Sequence, residues 1–165
     1  MAGYFILSTR KGDYRALAFQ GSQVYACHAQ LSGLLRTHLG EAHARLLAQK
    51  SCKVFLVGGL LRPETEAIIG AAALYSLQQY NFTKAFLGAN GVALDAGFTT
   101  PDPEEAAVKA TVVRRAREAW FLVDDSKFAR IYPAVIAELS GGAILTNHCP
   151  NPKYRQFTLV KEAAE

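Results

Sequence analysis

Residues 88–128 decide the fold and read GANGVALDAGFTTPDPEEAAVKATVVRRAREAWFLVDDSKF. Three polar stretches within them, GANG, GFTTPD and DDSK, have the composition of turns and lie between short apolar runs. In a globular α/β domain, turns of this kind are where a small-molecule site is placed. This stretch is therefore the first place to expect a functional site.

On both sides of this stretch, short apolar runs alternate with helical patterns along the chain. The pattern predicts helices at 71–80, 104–118 and 133–139, and strands at 53–57, 84–87, 120–123, 143–145 and 157–160. Such alternation indicates parallel βαβ units and a sheet covered on both faces. The first three of these strands end in polar turns, so we expect the turns to open on one edge, where ligands bind in such sheets.

The N-terminal part has a different pattern. Residues 3–29 alternate weakly between apolar and polar side chains, with turn residues between the runs, which predicts a small β-meander. Leucines between residues 31 and 47 recur at helical spacing and predict a helix whose apolar face belongs to the core.

Composition limits the class of protein. The chain has 165 residues, enough for one domain with a sizeable core, and half of them are hydrophobic. A net charge of +4 is mild, and no aromatic residues interleave with the basic cluster at 114–117, so a solvated helix end is favoured over a nucleic-acid patch. With no apolar run of membrane-spanning length and no signal pattern, we expect a cytoplasmic protein.

No motif for a metal, a cofactor or covalent catalysis is apparent. Cys27, Cys52 and Cys149 are few and far apart, which implies no disulfide framework. The pair His148 and Cys149 lacks further ligands at metal-site spacing. The sequence contains no P-loop, GxGxxG or GxSxG pattern and no nucleophile–base pair, so we expect no metal, no cofactor and no catalytic residues.

The turn after the first of these strands has two interpretations. Gly58 and Gly59 could let backbone N–H groups approach an anion, which Arg62 would bind through two parallel hydrogen bonds. They could equally form a tight turn followed by a surface arginine. Asn90, between two glycines, is similarly balanced between a turn role and a bond to a sugar hydroxyl.

Asp102 begins a well-formed helix start. It suits the N-cap, Pro103 the first helical position, and Glu105 the third, as in a capping box. Lys109 follows Glu105 by four residues, which favours a surface ion pair; cap and pair together contribute about 1 kcal/mol. From the residues alone this structural interpretation is preferred to a role in a ligand site.

Lys127 directly follows the acidic pair Asp124 and Asp125 at the end of a predicted strand. A lysine in that place can reach a bound phosphate or carboxylate. An ion pair with one of the two aspartates explains it equally well.

Taken in order, these motifs resemble a known family. The segments VGGLLR at 57–62, FLGANG at 86–91, GFTTPD at 97–102 and DSKF at 125–128, together with Glu105 and Lys109, resemble the C-terminal sensor domain of DeoR-family bacterial transcription regulators. The resemblance covers about residues 52–145, well over half of the chain.

The resemblance implies an α/β fold, a Rossmann-like, mostly parallel sheet similar to ribose-5-phosphate isomerase and glucosamine-6-phosphate deaminase, with a small N-terminal β extension. It implies a non-enzymatic sensor domain of a repressor of carbohydrate catabolism that forms a homo-oligomer and binds a phosphorylated sugar; the GFTTPD wording favours fructose or tagatose phosphate. The ligand-binding residues it implies are Gly58, Gly59, Arg62, Asn90, Gly91, Thr99, Thr100, Asp102, Glu105, Lys109 and Lys127.

The N-terminal third departs from the family pattern. The Asp-Ser-Gly-Thr-Thr phosphate loop and the strand ending in Thr-Asn-Ser do not occur within residues 1–50, and nothing there resembles a winged helix-turn-helix. We therefore divide the chain into a divergent extension at 1–50, a β-meander plus helix packed on the same core, and a sensor-like domain at 51–165. DNA would be bound only through a helix-turn-helix domain that this sequence does not show.

Two other functions remain open at this stage. One is a sugar-phosphate isomerase-like enzyme with Glu105 as the base, because aldose–ketose conversion needs a proton-transfer group beside a polarised carbonyl. The other is a degenerate structural or dimerisation module that binds no small molecule.

Overall fold

The computed structural model describes residues 4–10, 13–19, 24–26, 35–37, 53–63, 65 and 67–162, with side chains described from residue 57 onward. The helices are α1 (Ala71–Gln78) and α2 (Pro103–Arg115). In chain order the strands are β1 (Tyr4–Arg10), β2 (Asp13–Phe19), β3 (Val24–Ala26), β4 (Leu35–Thr37), β5 (Lys53–Leu56), β6 (Leu60–Leu61), β7 (Ile68–Ile69), β8 (Phe82–Gly88), β9 (Gly91–Ala93), β10 (Gly97–Thr100), β11 (Ala116–Leu122), β12 (Ala134–Ala137), β13 (Ala143–Thr146) and β14 (Val160–Glu162).

A seven-stranded sheet of order β14-β13-β11-β8-β1-β2-β5 organises the fold. Strands β8, β11, β13 and β14 are parallel neighbours, which confirms the predicted Rossmann-like α/β sheet. Strand β1 is antiparallel to both β8 and β2, while β5 is parallel to β2, so β1 alone runs against the other six strands of this sheet. The carboxyl ends of β5, β8, β11 and β13 therefore share one edge, as expected.

The predicted N-terminal strands are present, but their pairing differs from a meander. β1 and β2 form a hairpin that enters the middle of the large sheet, whereas β3 pairs with β4 in a separate two-stranded sheet. Residues 35–37 are therefore a strand and not part of the helix predicted for 31–47; the rest of that helix lies outside the described residues. Cross-strand pairing overrides the leucine spacing here.

Three other predicted elements need correction. Residues 133–139 are not a helix: β12 buries Ala134 and Ile136, exposes Val135, and pairs with β10, so its burial has the period of a strand. GFTT is not a turn but the fully buried strand β10, between β9 and β12. The last strand begins only at Val160, because a 3-10 turn occupies Pro152–Gln156.

Helix α2 lies between strands β10 and β11 in the chain and packs its apolar face into the core. Its N-cap is Asp102 and it ends at Arg115, earlier than the predicted 118, because Ala116 is already extended and opens β11. Its buried face includes Ala106, Val108 and Val112. Beneath it, the rings of Phe98 and Phe121 stack with centroids 3.6 Å apart, which ties β10 to the parallel sheet.

Candidate functional site

The turn after β8 is tied to the buried strand β10. Asn90 donates its backbone N–H to the carbonyl oxygen of Thr99 at 3.0 Å, and the Thr100 hydroxyl donates to Asn90 Oδ1 at 2.9 Å. Asn90 itself is only half-buried, so its amide is oriented by Thr100 while remaining within reach of a ligand. The structure thus brings the GANG and GFTTPD segments together.

Thr99 and Thr100 are both fully buried. The Thr99 hydroxyl donates to the Gly91 carbonyl at 3.3 Å and accepts from the Tyr132 N–H at 3.1 Å, so its hydrogen bonds are made within the protein. Thr99 therefore supports the Gly91 turn, and Thr100 orients Asn90.

The turn after β11 is fastened to the same place. Phe128 forms an isolated parallel bridge with Val92, and the N–H of Ala129 donates to the Val92 carbonyl at 2.8 Å. A Cβ atom at Gly91 would lie 2.3 Å from the carbonyl oxygen of Arg130, so only glycine permits this approach. The DSKF and GANG segments are thus packed against each other, as the predicted shared edge requires.

Lys127 lies in a short 3-10 turn, Asp125–Lys127, whose N-cap is Asp124. Asp124 Oδ1 accepts from the Ser126 N–H at 2.9 Å and also from the Ser126 hydroxyl. The hydroxyl bond, and to a lesser degree the charge of Lys127, lower the pKa of Asp124. Lys127 is half-buried, and its charge acts on the Asp124 carboxylate.

Asn147 is a site residue that sequence reasoning missed. It follows the end of β13, and its Oδ1 accepts from the backbone N–H of Asp125 at 2.9 Å. Its position in the sequence could have predicted it. Asn147 is a polar side chain directly after a predicted strand, and the parallel neighbours of that strand also end in candidate turns.

The start of α2 confirms Asp102 as the N-cap. Asp102 Oδ1 accepts from the N–H groups of Glu104 at 2.8 Å and Glu105 at 2.9 Å, with Pro103 at the first position. The predicted reciprocal bond of a capping box is replaced by another contact, because the Glu105 carboxylate turns toward Lys109. This helix start is rigid and strongly acidic.

Arg62 joins the hairpin of β6 and β7 to that helix start. Its guanidinium lies 2.8 Å from the Asp102 carboxylate and 3.1 Å from that of Glu104. The two acidic partners oppose the predicted anion-binding role of Arg62, since an incoming anion would have to compete with both.

Gly58 and Gly59 differ in what they do. A Cβ atom at Gly59 would lie 2.5 Å from Ile68 Cγ2 and 2.7 Å from the Ile69 carbonyl oxygen, so this glycine is required for packing of the hairpin. Gly58 is exposed, with no atom within 4 Å of a built Cβ. The open backbone available to a ligand is therefore at Gly58.

Glu105 and Lys109 form an ion pair, but not at the surface as the spacing suggested. Lys109 Nζ lies 3.7 Å from Glu105 Oε2, and the side chains of Glu105 and Lys109 are 4% and 0% exposed. Burial lowers the pKa of Lys109 to about 7, because desolvation penalises its charged form. Glu105 Oε1 is buried with no hydrogen-bond partner.

The charges of this edge are unevenly distributed. Of the cationic side chains among the predicted residues, Arg62 and Lys109 each form an ion pair with a carboxylate. At the start of α2 the three carboxylates of Asp102, Glu104 and Glu105 outnumber these two cations. This part of the site is therefore better equipped to accept hydrogen bonds from hydroxyl groups than to hold a phosphate.

In the part of the chain that the structure describes, no group of three or more His, Cys, Asp or Glu side chains is arranged to hold a metal ion. Neither of the helices α1 and α2, nor any other described helix, is long and apolar enough to cross a membrane.

A mostly parallel α/β sheet with polar turns at the carboxyl ends of its strands is a Rossmann-like architecture, in which ligands bind at that edge of the sheet. The model of the DeoR C terminal sensor domain matches residues 35–147. The chain therefore belongs to the family of DeoR C terminal sensor domains. The match begins upstream of the predicted 52 and includes β4.

Curated relatives agree with this assignment. The chain is 40% identical over 125 residues to an uncharacterized HTH-type transcriptional regulator FruR of Bacillus subtilis, covering 74% of this chain and 50% of the relative. It is 36% identical over 98 residues to the HTH-type transcriptional regulator GlpR of Haloferax volcanii, covering 57% and 38%. It is 31% identical over 85 residues to the glycerol-3-phosphate regulon repressor of Escherichia coli, covering 52% and 34%. The chain spans half or less of the length of these three relatives.

Proposed function

We propose that this chain is the effector-sensing domain of a DeoR-family transcriptional repressor of carbohydrate catabolism and that it binds a phosphorylated sugar, with fructose or tagatose phosphate favoured. The observation that carries the proposal is that Asn90, the start of α2 with Arg62, and the turn containing Lys127 are joined at one sheet edge of a chain from this family. Family membership supports a regulatory rather than an enzymatic role.

The whole protein's partners follow from the same proposal. DNA would be bound through a helix-turn-helix segment, and the regulator would work in the cytoplasm as a homo-oligomer. The names of the relatives support this assignment, since they are HTH-type regulators or repressors.

The contacts favour one orientation of the ligand. At the start of α2, the N–H groups of Glu104 and Glu105 are already bound by Asp102 Oδ1, and that of Ala106 by the Asp102 carbonyl. These amides are the groups that would otherwise bind a phosphate. Because Asp102, Glu104 and Glu105 also repel an anion, the hydroxylated end of the sugar faces α2.

The phosphate then lies toward Lys127. Arg62 already binds two carboxylates and Lys109 is buried. Lys127 instead lies on a half-exposed turn, beside Asp124. The unsatisfied Glu105 Oε1 would accept a hydrogen bond from a hydroxyl, which a buried carboxylate oxygen requires.

Thermal unfolding of the 165-residue chain tests the proposal. We expect a phosphate of fructose or tagatose to raise the midpoint, because a ligand at about 100 times its Kd stabilises the native state by about 2.7 kcal/mol. Glucose and ribose phosphates are the comparison ligands, and the unphosphorylated sugars show whether the phosphate matters. No shift with any of these compounds at millimolar concentration would contradict the proposal.

Two charge-matched variants locate the phosphate. Lys127→Ala should reduce the shift caused by the sugar phosphate and leave the small response to the free sugar unchanged. Lys153→Ala, which removes an exposed cation on the turn before β14, is the control and should respond like the wild type. Equal responses from both variants would place the phosphate elsewhere.

A second candidate is an isomerase-like activity, favoured by the buried pair of Glu105 and Lys109. A carboxylate with an unsatisfied oxygen beside a lysine whose pKa is lowered to about 7 has the properties of an acid–base pair. Incubating the chain with the same sugar phosphates and following aldose–ketose conversion by NMR separates the two functions. Turnover that is lost in Glu105→Gln would establish the enzyme, and absence of turnover in the wild type would exclude it for those sugars.

A further inference from the structure

We infer that Asn147 is a positioning residue that fixes the turn Asp125–Lys127 and so sets where Lys127 meets the ligand. The role of the ligand in this inference rests on the function proposed above. The positional part concerns the protein alone and can be tested without a ligand.

The contact between Asn147 and Asp125 is reciprocal. Asn147 Oδ1 accepts from the Asp125 backbone N–H at 2.9 Å, and Asn147 Nδ2 donates to Asp125 Oδ1 at 3.3 Å. The pair closes a ring in which one side chain satisfies both a donor and an acceptor of the same residue. Because it joins the end of β13 to the turn after β11, it fixes the turn relative to the sheet and not merely within itself.

Neighbouring residues at the end of β13 fix the position of Asn147. Thr146 is buried at the end of β13, and its hydroxyl lies 3.0 Å from the His148 carbonyl and 3.3 Å from Asn147 Oδ1. The backbone of Val123, just before the turn, also donates to the Leu145 carbonyl at 3.1 Å. The two strand ends are thus in register, which presents Asn147 to Asp125.

The other end of the turn is equally constrained. The N–H of Ala129 lies 2.8 Å from the Val92 carbonyl and 3.2 Å from the Tyr154 hydroxyl, and Ala129 adopts φ 55°. An alanine holds this left-handed conformation only where the surroundings impose it. Lys127 therefore lies on a three-residue turn fixed at both ends, and Asn147 supplies the side-chain contact at the first end.

An amide at position 147 can donate one hydrogen bond and accept another, whereas a carboxylate can only accept. Asn147→Asp keeps an acceptor for the Asp125 N–H but loses the donor and sets two carboxylates against each other. The swap Asp125→Asn with Asn147→Asp restores a donor at position 125 and an acceptor at position 147, with the net charge of the wild type. The swap therefore separates loss of this contact from loss of the asparagine itself.

Amide hydrogen exchange, followed by NMR on the ligand-free chain, tests the positional role. Asn147→Ala, which removes the acceptor, should speed exchange of the Asp125 amide by about tenfold, Asn147→Asp should speed it less, and the swap should return it toward the wild-type rate. Asn151→Ala, which removes a comparable side-chain bond to the Lys153 N–H at 3.0 Å, is the control and should leave the Asp125 amide unchanged. An unchanged Asp125 amide in Asn147→Ala would overturn the inference.

Binding of fructose phosphate tests the consequence for Lys127. Loss of one such contact should weaken binding roughly three- to tenfold in Asn147→Ala and Asn147→Asp, and the swap should recover most of it. Adding Asn147→Ala to Lys127→Ala should cause no further loss, because Asn147 acts through Lys127. Independent losses would overturn the positioning role, as would faster exchange in Asn147→Ala with unchanged affinity.

The two readouts distinguish the possible failures. If the wild-type chain binds none of the sugar phosphates, the proposed function fails, while the exchange rates still decide whether Asn147 fixes the turn. If the wild type binds and the exchange rates do not respond to Asn147→Ala, the inference fails and the proposed function stands.

Discussion

Glu104 and Glu105 are neighbours on the first turn of α2, yet they belong to opposite environments. Glu104 is 53% exposed and pairs with Arg62 in an outer cluster of Arg62, Asp102 and Glu104. Glu105 is 4% exposed and pairs with Lys109, and these two residues are the inner pair. Burial, more than the presence of an ion pair, therefore decides what each of these two charges contributes to stability and chemistry.

The largest effect should come from breaking the inner pair. Lys109→Met leaves the buried Glu105 carboxylate without its cation, and such a change costs about 3 kcal/mol or more in the free energy of unfolding. Urea unfolding below the Lys109 pKa of about 7, where the lysine is charged, measures it. Adding Glu105→Met should recover at least half of the loss, because no buried charge is then left uncompensated. A double variant as unstable as the single one would show that packing, not charge, holds this pair.

The inner pair should also make stability depend on pH. The pKa of Lys109 is about 7 in the folded chain and 10.5 when unperturbed, so between these values the unfolded state binds more protons. Stability therefore rises with pH through this window, by up to about 1.4 kcal/mol per pH unit, or about 2 kcal/mol from about pH 8 to about pH 9.5.

The measurement is the difference in unfolding free energy between the wild type and the variant carrying both Glu105→Met and Lys109→Met. This difference should grow with pH. The corresponding difference for Arg62→Ala should stay flat, because a guanidinium does not titrate there. A flat curve for the inner pair would mean that Lys109 is charged throughout this range.

How far the sequence predicts these environments depends on the range of the interactions. The strands at 84–87, 120–123 and 143–145 and the Asp102 cap were predictable, because their signals lie within a few adjacent residues. The partners of Arg62 were not, since Glu104 is 42 residues away in the chain. β1 likewise enters the sheet beside β8, a contact that no local pattern encodes.

The candidate site shows the same limit. The i,i+4 spacing of Glu105 and Lys109 predicted their pairing, but nothing local to α2 shows that both side chains are buried. GFTT carried turn composition, yet pairing on both sides made it a buried strand. The parallel strands were enough to predict which loops lie at the same edge of the sheet. Predicting which side chains are exposed to a ligand required the tertiary structure.

The outer cluster should respond to loss of its cap by an intermediate amount. Asp102→Ala removes the acceptor for two amides at the start of α2, and loss of an N-cap costs about 1 kcal/mol. Asp102→Asn retains a capping oxygen and should lose less, the remainder reflecting the contact with Arg62. Thermal unfolding of both variants measures the split, and equal losses would assign the whole effect to charge.

The smallest effect should come from Arg62→Ala. Its contacts with Asp102 and Glu104 are partly exposed, so water and salt screen them, and their loss should cost about 0.5 kcal/mol. Arg62→Lys keeps the charge without the bidentate fork and serves as the control. Raising the salt concentration should shrink the cost of Arg62→Ala further while leaving that of Lys109→Met almost unchanged, because a buried pair is screened much less. If Arg62→Ala instead cost as much as Lys109→Met, the outer cluster would be a structural anchor of α2, and burial alone would not separate the two neighbouring glutamates.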